Sequence, residues 1–422
     1  MNISNNKDRE EKYFNWQVLL VISLSSIAMG IYRDGVSSLF PFLQAEFELS
    51  RVQVAFYSTC LYFTSSIFSI FGGRLVDLKG TKWGMISGII LVGFFLILHS
   101  MASNFTFLLI LAAFSGVGMS INPSAANKGI TEWFSPKWRS TATGIWSTSF
   151  PIGGALAASL LPVLGILIGW RKSILIPGFF ILFCGLLIFL LYKDREKAQN
   201  NLKEKSEQEI SFWRGFRDLI KNRNLLTISV FGFFLGSTEG AILTHFTLFL
   251  YLDYSLVETI AGAGFAFVQF GSIFGRLFWG AFCDKFLNAD RKKTFLILSF
   301  IFLLTTLFFG LFLKRIIFSL PILFSLAFLT GFSGRGWDGI FFPSVSEMVR
   351  EEQVGAAIGM SLLFTRTGIL VSPLIFGFIA DFRGAYDLSW ILLGLMLFFS
   401  SIIFYLRSFN KDGNFNNSYT SR

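Results

Sequence analysis

Charged and reactive side chains are scarce in this chain of 422 residues. Asp, Glu, Lys and Arg together make up 15% of it, and it has only two histidines and three cysteines. Cys60, Cys184 and Cys283 are too scattered for a metal site or a disulfide framework. The sequence also lacks a cofactor fingerprint, a nucleophile motif and a cluster of metal ligands. These absences argue against an enzyme and predict that the protein uses no cofactor.

Apolar residues, in contrast, are in large excess. They account for 53% of the sequence, with 54 phenylalanines, and the mean hydropathy is +0.61. This composition is typical of a protein that crosses a lipid bilayer many times. A formal charge of +10 could indicate nucleic acid binding in a soluble protein, but here the basic residues lie mainly between apolar segments. We therefore predict the bilayer as a partner, and not nucleic acid.

Apolar stretches of about 20 residues, the length that crosses a bilayer as a helix, recur along the chain. They predict an all-α membrane protein with twelve transmembrane helices. The first stretch is too long for the core of a signal peptide, so we expect it to be retained. The predicted spans are 16–42, 52–73, 83–101, 105–129, 140–168, 172–192, 225–251, 257–281, 294–313, 317–347, 354–380 and 388–407.

Basic residues predict how the chain is oriented. The loops after even-numbered spans carry most of the Lys and Arg, including nine between 193 and 223. By the positive-inside rule both termini are then cytoplasmic, in the inner membrane of the cell. The segment 193–224 suits a linker with an interfacial amphipathic helix. The predicted order is a tail (1–15), a six-helix half (16–192), this linker, a second six-helix half (225–407) and a second tail (408–422).

A pattern that occurs twice divides the chain into these halves. The loop Gly73-Arg74-Leu75-Val76-Asp77-Leu78-Lys79-Gly80-Thr81-Lys82 is followed by a weaker copy, Gly280-Ala281-Phe282-Cys283-Asp284-Lys285, with Asp77 and Asp284 separated by 207 positions. Asp34 and Glu239 lie 205 positions apart, and Gly153 and Gly368 lie 215 apart. Such self-similarity predicts two halves folded alike, with a solute cavity between them.

The repeated loop resembles the signature of the major facilitator superfamily, and the resemblance covers nearly the whole chain. In that family the loop Asp caps a neighbouring helix and helps to hold the cytoplasmic side closed. The resemblance therefore implies a gating role for the matching residues, although they could instead only set turns and topology. The predicted gating residues are Gly73, Asp77, Lys79, Gly80, Lys82, Gly280, Asp284 and Lys285.

Charged side chains at membrane depth are expensive and therefore indicate function. Arg33 and Asp34 are adjacent, and Arg335 and Asp338 are three residues apart, so each pair could be neutralised internally. Lys128 with Glu132, and His245, fit structural roles better than a binding or proton-relay role.

Arg276 and Arg366 differ because neither has an acidic residue within helical reach in its own span. An unpaired guanidinium suits a carboxylate or a phosphate, which predicts an anionic solute. The two arginines lie in the eighth and eleventh predicted spans. Both positions resemble those of carboxylate-binding cations in oxalate/formate antiporter-like members of the family, and the position in the eighth span also resembles that in monocarboxylate-like members. Arg276 could alternatively support the gating loop. The predicted substrate-binding residues are Arg366, Arg276, Arg33 and Arg335.

Asp34 and Glu239 are candidates for proton coupling, because carboxylates in a partly dry cavity can carry protons near neutral pH. Exchange of one anion for another needs no titrating group and stays open. The sequence thus predicts a monomeric secondary transporter that moves a small organic anion by alternating access. The alternatives are an exporter of hydrophobic or cationic compounds, which the many Phe and Trp residues would suit, and a transporter-like solute sensor.

Overall fold

The computed structural model describes residues 3–194, 222–312, 319–349 and 353–407. The predicted amphipathic helix of the linker and the tail 408–422 lie outside these ranges. The described helices are α1 (Ile3–Arg33), a 3₁₀ turn (Val36–Leu39), α2 (Phe40–Phe47), α3 (Arg51–His99), α4 (Phe105–Trp133), α5 (Pro136–Ile168), α6 (Trp170–Leu191), α7 (Arg223–Tyr254), α8 (Glu258–Phe286), α9 (Arg291–Leu307) with a π turn (Phe308–Phe312), α10 (Leu320–Gly334), α11 (Asp338–Ser346), α12 (Val354–Arg383) and α13 (Asp387–Leu406).

Ten helical stretches of the described residues are long and apolar enough to cross a membrane. The sequence predicted twelve spans, and the difference arises at two places. The predicted spans 52–73 and 83–101 form the continuous 49-residue run of α3, in which only Gly80 has non-helical angles (φ 89°, ψ 169°). The predicted span 317–347 is divided into α10 and α11, each shorter than the bilayer thickness requires.

Helix packing repeats between the two halves of the chain. Gly30 of α1 and Gly153 of α5 approach so closely that a Cβ on either would lie 2.1–2.2 Å from a backbone oxygen of the other helix. Gly236 of α7 and Gly368 of α12 make the equivalent approach, at 2.0–2.1 Å. Only glycine allows two backbones to come this near. The contact between α1 and α5 is therefore reproduced by α7 and α12, and Gly153 and Gly368 are at the separation of 215 positions that the sequence repeat predicted.

The helix ends define two faces of the bundle. We call the face that holds the ends at Leu191, Arg223 and Leu406 the terminal face, and the face that holds the ends at Phe47, Tyr254 and Arg383 the distal face. The start of α3 on the distal face is capped by Ser50, whose hydroxyl accepts a hydrogen bond from the Gln53 backbone amide at 3.2 Å. The Ser50 backbone amide in turn donates to the Gln53 side-chain oxygen at 2.8 Å. This reciprocal cap fixes where the helix begins.

Candidate functional site

Two interrupted helices meet in the middle of the bundle. The first membrane-crossing stretch, 15–47, leaves the α-helix at Asp34 and Gly35 before its 3₁₀ turn. The second interruption is Arg335–Trp337, between α10 and α11. Interrupted helices expose backbone and side-chain polar groups at membrane depth, which is tolerated where they are buried in protein or line a cavity.

Neighbouring side chains satisfy the carbonyl groups that end α10. The Thr238 hydroxyl donates to the Gly334 carbonyl at 2.8 Å. The indole Nε1 of Trp279 donates to the Phe332 carbonyl, also at 2.8 Å. An unpaired buried carbonyl would cost about 1–3 kcal/mol, so these bonds stabilise the interruption.

Arg33, Asp34, Glu239 and Arg335 form a cluster of ion pairs at these interruptions, which we call the charge quartet. Arg33 Nε lies 2.5 Å from Asp34 Oδ1, and its Nη2 lies 3.4 Å from Glu239 Oε1. Arg335 Nη2 lies 2.9 Å from Asp34 Oδ2 and 3.3 Å from Glu239 Oε1. Asp34 and Arg335 are fully buried. The quartet therefore joins the first half of the chain to the second by buried ion pairs.

Two further side chains hold the quartet in place. Gln269 of α8 accepts a short hydrogen bond from Arg335 Nη1 and donates to the backbone carbonyl of Asp34 at 3.5 Å. The Phe150 ring lies under the Arg33 guanidinium, 4.6 Å from its centroid, which attracts the cation to the ring face. Nothing in the sequence pattern identified Gln269 or Phe150, because their roles depend on contacts between distant helices.

Arg276 also has partners, although its own span offers none. Its Nη2 lies 2.9 Å from Asp338 Oδ2 of α11, and its Nη1 donates to the Ser147 carbonyl of α5 at 2.7 Å. The sequence indicated that its own span offers no carboxylate, and in the structure a second helix supplies one. The same contact removes the suggested Arg335–Asp338 pair, since Arg335 binds the quartet and Asp338 binds Arg276.

Arg366 stands apart from these arginines. Within the ranges that the structure describes, Arg366 makes no hydrogen bond and no ion pair. The charged side chain that acts on it is Arg33, which has the same sign and repels it. Arg366 lies one helical turn before Leu370, whose carbonyl accepts from Thr59 of α3 at 3.3 Å. Residues four apart share a helix face, so Arg366 is on the side of α12 that faces the first half.

These mid-depth charges do not cancel. Four arginines face three carboxylates, which leaves a surplus of one positive charge among the residues named, and Arg366 is the arginine without a carboxylate. The four arginines are Arg33, Arg276, Arg335 and Arg366, and the carboxylates are Asp34, Glu239 and Asp338.

The polar residues that the sequence favoured as structural are indeed held by neighbours. His245 is fully buried between the Tyr386 hydroxyl at 3.0 Å and the Pro373 carbonyl at 2.8 Å. Lys128 donates to the Val76 carbonyl at 2.8 Å rather than forming the suggested pair with Glu132, whose Oε2 accepts from the Thr81 hydroxyl at 3.2 Å. The hydrogen bonds of these side chains are therefore made by neighbouring groups of the protein.

The loops predicted to gate the transporter lie on the terminal face. Lys128 Nζ is 3.9 Å from Asp77 Oδ1, and the Lys82 amide donates to Asp194 Oδ1 at 2.9 Å. Gly80 has a positive φ of 89°, a conformation that favours glycine, and it lies beside the Asp194 carboxylate.

The second loop makes the corresponding contacts. Asp284 accepts from Arg291 at 2.9 Å, and Arg291 also donates to Glu347 at 3.1 Å. Gly280 lies beside the Gly339 carbonyl, 3.4 Å from a built Cβ, whereas Gly73 has only Ser124 nearby. Lys79 and Lys285 are exposed. None of these loop contacts joins one half of the chain to the other.

On the distal face, by contrast, residues of the two halves bind each other directly. The carboxylate of Asp381 accepts from the backbone amides of Arg51 and Val52, each at 2.9 Å. The Arg51 side chain adds ion pairs to Asp253 at 3.6 Å and to Asp381 at 3.7 Å. Asp381 thus caps the start of α3 from the other half. We call Arg51, Val52, Asp253 and Asp381 the distal latch, which the sequence analysis did not identify.

Comparison with known proteins gives one consistent family. The family model "Major Facilitator Superfamily" matches residues 19–288 and 246–418. A hexuronate transporter of Bacillus subtilis is 22% identical over 91% of this chain and 92% of its own length. A probable hexose phosphate transport protein of Chlamydia trachomatis is 23% identical over 96% and 93%.

Solved structures agree at the level of the fold. A bacterial homologue of the human lysosomal transporter Spinster, in an inward-facing and unoccupied conformation, superposes with a TM-score of 0.75 at 15% identity, over 94% of this chain and 96% of that one. The family model spans well over half of the sequence, and this chain therefore belongs to the Major Facilitator Superfamily of transporters.

Proposed function

We propose that this transporter moves a small organic anion and that Arg366, assisted by Arg33, attracts and binds it. The observation that carries the proposal is the surplus positive charge of the mid-depth site, located at Arg366. A bare guanidinium in a medium of low polarity is costly, and an anionic solute removes that cost. Arg33 uses Nε and Nη2 for its carboxylates, and its side chain stays 20% exposed, so Nη1 is available to the same solute.

The names of the relatives support a sugar-sized anion. Hexuronate and hexose phosphate each combine a sugar with an acidic group. A guanidinium fork binds carboxylate and phosphate equally well in geometry, so the charge alone does not choose between them. For Arg276 and Arg335, also predicted as solute ligands, the pairing with Asp338 and with the quartet supports a role in joining the helices around the solute.

The topology that fits this function has twelve crossings. Gly80 divides α3 into two crossings, and α10 with α11 supply the twelfth. The basic loops between Arg74 and Lys82 and between Lys285 and Lys293 are on the terminal face, which supports a cytoplasmic terminal face in the cell membrane. The halves 16–192 and 225–407 then move against each other as a monomer, joined by the linker 193–224.

Alternating access in this proposal uses the distal latch and the terminal-face loops in turn. The latch binds the two halves at the distal face, so the described state is closed there. The gating residues Asp77, Lys82 and Asp284, with the glycines and lysines of the same loops, would act when the terminal face closes. Their described contacts lie within one half each, which supports loops that can form contacts with the other half when the terminal face closes.

Loss of the distal latch is expected to open the distal face. Asp381→Ala removes the two hydrogen bonds that the backbone amides of Arg51 and Val52 donate at the start of α3, which are worth about 1–2 kcal/mol. The population ratio of closed to open molecules should therefore fall about 5- to 30-fold. The measurement is labelling of a Thr59→Cys probe by an impermeant maleimide added to intact cells, with Cys60, Cys184 and Cys283 replaced by Ser. The matched control is Asp387→Ala, which removes a distal carboxylate that bonds the Leu388 amide within its own half. Equal labelling in both variants would exclude a latch across the halves.

Proton coupling by Asp34 and Glu239 gives a separate expectation. A carboxylate that binds a proton in one state and an arginine in another links transport to pH. In the wild type, uptake of the anion into proteoliposomes should rise as the distal side is acidified. In the double variant Asp34→Asn and Glu239→Gln the slope with pH should vanish, whereas unchanged pH dependence would indicate anion exchange without a carried proton.

The solute class is tested by ligand binding. Thermal shifts of the purified protein are measured with hexuronates, other carboxylates, sugar phosphates, neutral sugars and lipophilic cations, because a ligand that binds only the folded state raises the melting temperature. Stabilisation by one anion class, followed by uptake of that compound into proteoliposomes, is the expected outcome. Shifts with lipophilic cations alone would support an exporter instead, and binding without uptake would support a sensor.

A further inference from the structure

The hydroxyl group of Tyr62 on α3 is buried from water and has no hydrogen-bond partner among the described residues. Buried tyrosine hydroxyls are normally hydrogen-bonded, because an unpaired polar group in the interior is costly. Another tyrosine of the same helix follows that rule, since the Tyr57 hydroxyl bonds the Tyr32 hydroxyl at 3.2 Å and His99 Nε2 at 3.0 Å. Tyr62 therefore presents a polar group that the described part of the protein leaves unused.

The packing of α3 on α12 shows how the two helices are aligned. Val52 lies beside Gly377, where a built Cβ would be 3.0 Å from the Val52 backbone. The Thr59 hydroxyl donates to the Leu370 carbonyl at 3.3 Å. A step of seven residues forward on α3 thus corresponds to a step of seven residues back on α12. The two helices are therefore antiparallel and in contact over this whole stretch.

This alignment places Tyr62 and Arg366 at the same level. Tyr62 follows Thr59 by three residues, and Arg366 precedes Leu370 by four. Both spacings keep a side chain on the same side of a helix. Tyr62 on α3 and Arg366 on α12 therefore both face the boundary between the halves, at the depth of the interrupted helices.

The charge quartet lies at the same place. All four of its members act electrostatically on the Tyr62 hydroxyl, and Arg33 of the quartet is also the charged side chain that acts on Arg366. Arg33 uses Nε and Nη2 for its carboxylates. Three donors without an acceptor among the described residues therefore come together from α1, α3 and α12, namely Arg33 Nη1, the Tyr62 hydroxyl and the Arg366 guanidinium.

We propose that Tyr62 is a ligand of the solute and donates its hydroxyl to the acidic group that Arg366 and Arg33 attract. This inference rests on the proposed anion transport and adds a third donor to the same site. The arginines supply the charge, and the neutral hydroxyl fixes where the acidic group lies. A hydrogen bond to an ionised acceptor is about twice as strong as one between neutral groups, and no water competes for a buried hydroxyl.

The test is Tyr62→Phe, which keeps the ring and removes only the hydroxyl. The probes are galacturonate, which carries a carboxylate, and glucose phosphate, each titrated by thermal shift against the purified full-length protein. We expect the Kd of the stabilising probe to rise about 10-fold or more, as for loss of a hydrogen bond to a charged group. The melting temperature without ligand should stay the same or rise, because a buried unpaired polar group is removed.

Tyr57→Phe is the matched control, because it makes the same chemical change in the same helix at a hydroxyl that already has protein partners. It should lower the melting temperature without ligand, since Tyr32 and His99 lose a partner, and change Kd less than about 2-fold. An equal rise in Kd for both tyrosine variants would overturn the proposal. So would a lower melting temperature of Tyr62→Phe at unchanged Kd, because Tyr62 would then have a structural role.

Failure of this inference can be told apart from failure of the proposed function. If the wild type binds a probe and Tyr62→Phe binds it with the same Kd, the anion site stands and Tyr62 is not part of it. If neither these probes nor any other anion of the solute panel stabilises the wild type, the anion site itself is wrong, and the role of Tyr62 with it.

Discussion

Arg366→Gln is expected to weaken solute binding strongly while the protein remains folded. Within the described ranges Arg366 has no carboxylate partner, so its removal leaves no unpaired protein charge behind. Loss of one member of a buried charge pair with the solute costs about 2–5 kcal/mol, which raises Kd about 30-fold or more. The measurement is titration of the stabilising anion by thermal shift, with the melting temperature of the ligand-free variant as the check on folding.

Two controls define the specificity of that result. Arg139→Gln removes an arginine that bonds the Phe134 and Thr131 carbonyls near the terminal face, and it should leave Kd unchanged. Asp77→Asn alters a gating loop, so it should spare binding and slow uptake. If Asp77→Asn weakens binding as much as Arg366→Gln does, the division between binding site and gate is wrong.

Arg335→Met is expected to destabilise the protein more than any other substitution considered. Arg335 is fully buried and neutralises both Asp34 and Glu239. Without Arg335, the carboxylates of Asp34 and Glu239 share the single arginine Arg33, and this buried excess of negative charge should cost about 3–5 kcal/mol. Chemical unfolding of the detergent-solubilised protein, followed by helix content, gives the change in free energy of unfolding.

The same experiment has an internal comparison. Combining Arg335→Met with Asp34→Asn should recover part of the lost stability, because the excess carboxylate is removed as well. Lys293→Met breaks an exposed ion pair to Asp290 on the terminal face and should have no measurable effect. Similar losses for Arg335→Met and Lys293→Met would show that the quartet contributes nothing to stability.

Hydropathy predicted most of the fold because it depends on a property summed over about 20 residues. The helices differ from the predicted spans at two places, where one to three residues change the backbone. Gly80 interrupts α3 without ending it, and the interruption at Arg335–Trp337 shortens α10 and α11. Sums over long windows cannot detect such local changes. The repeat was more informative, since Gly153 and Gly368 do make equivalent helix contacts.

The sequence singled out the charged residues at membrane depth but not which of them pair with each other. The rule that residues three apart on a helix interact suggested an Arg335–Asp338 pair, yet the helix ends at Gly334 and restarts at Asp338. The glycines on both sides of Arg335 were the available signal for that interruption. Arg276 with Asp338, and Asp381 with the start of α3, join residues far apart in sequence, and no spacing rule reaches such contacts.

The make-up of the charge quartet has a consequence for movement. Each half contributes one arginine and one carboxylate, Arg33 with Asp34 and Glu239 with Arg335, and each of these pairs is in contact within its own half. When the halves separate, the pairs between halves are lost while those within each half can remain. No bare ion is then left in the interior of the membrane. The protein can thus hold its halves together by electrostatics and still part them without creating an isolated buried charge.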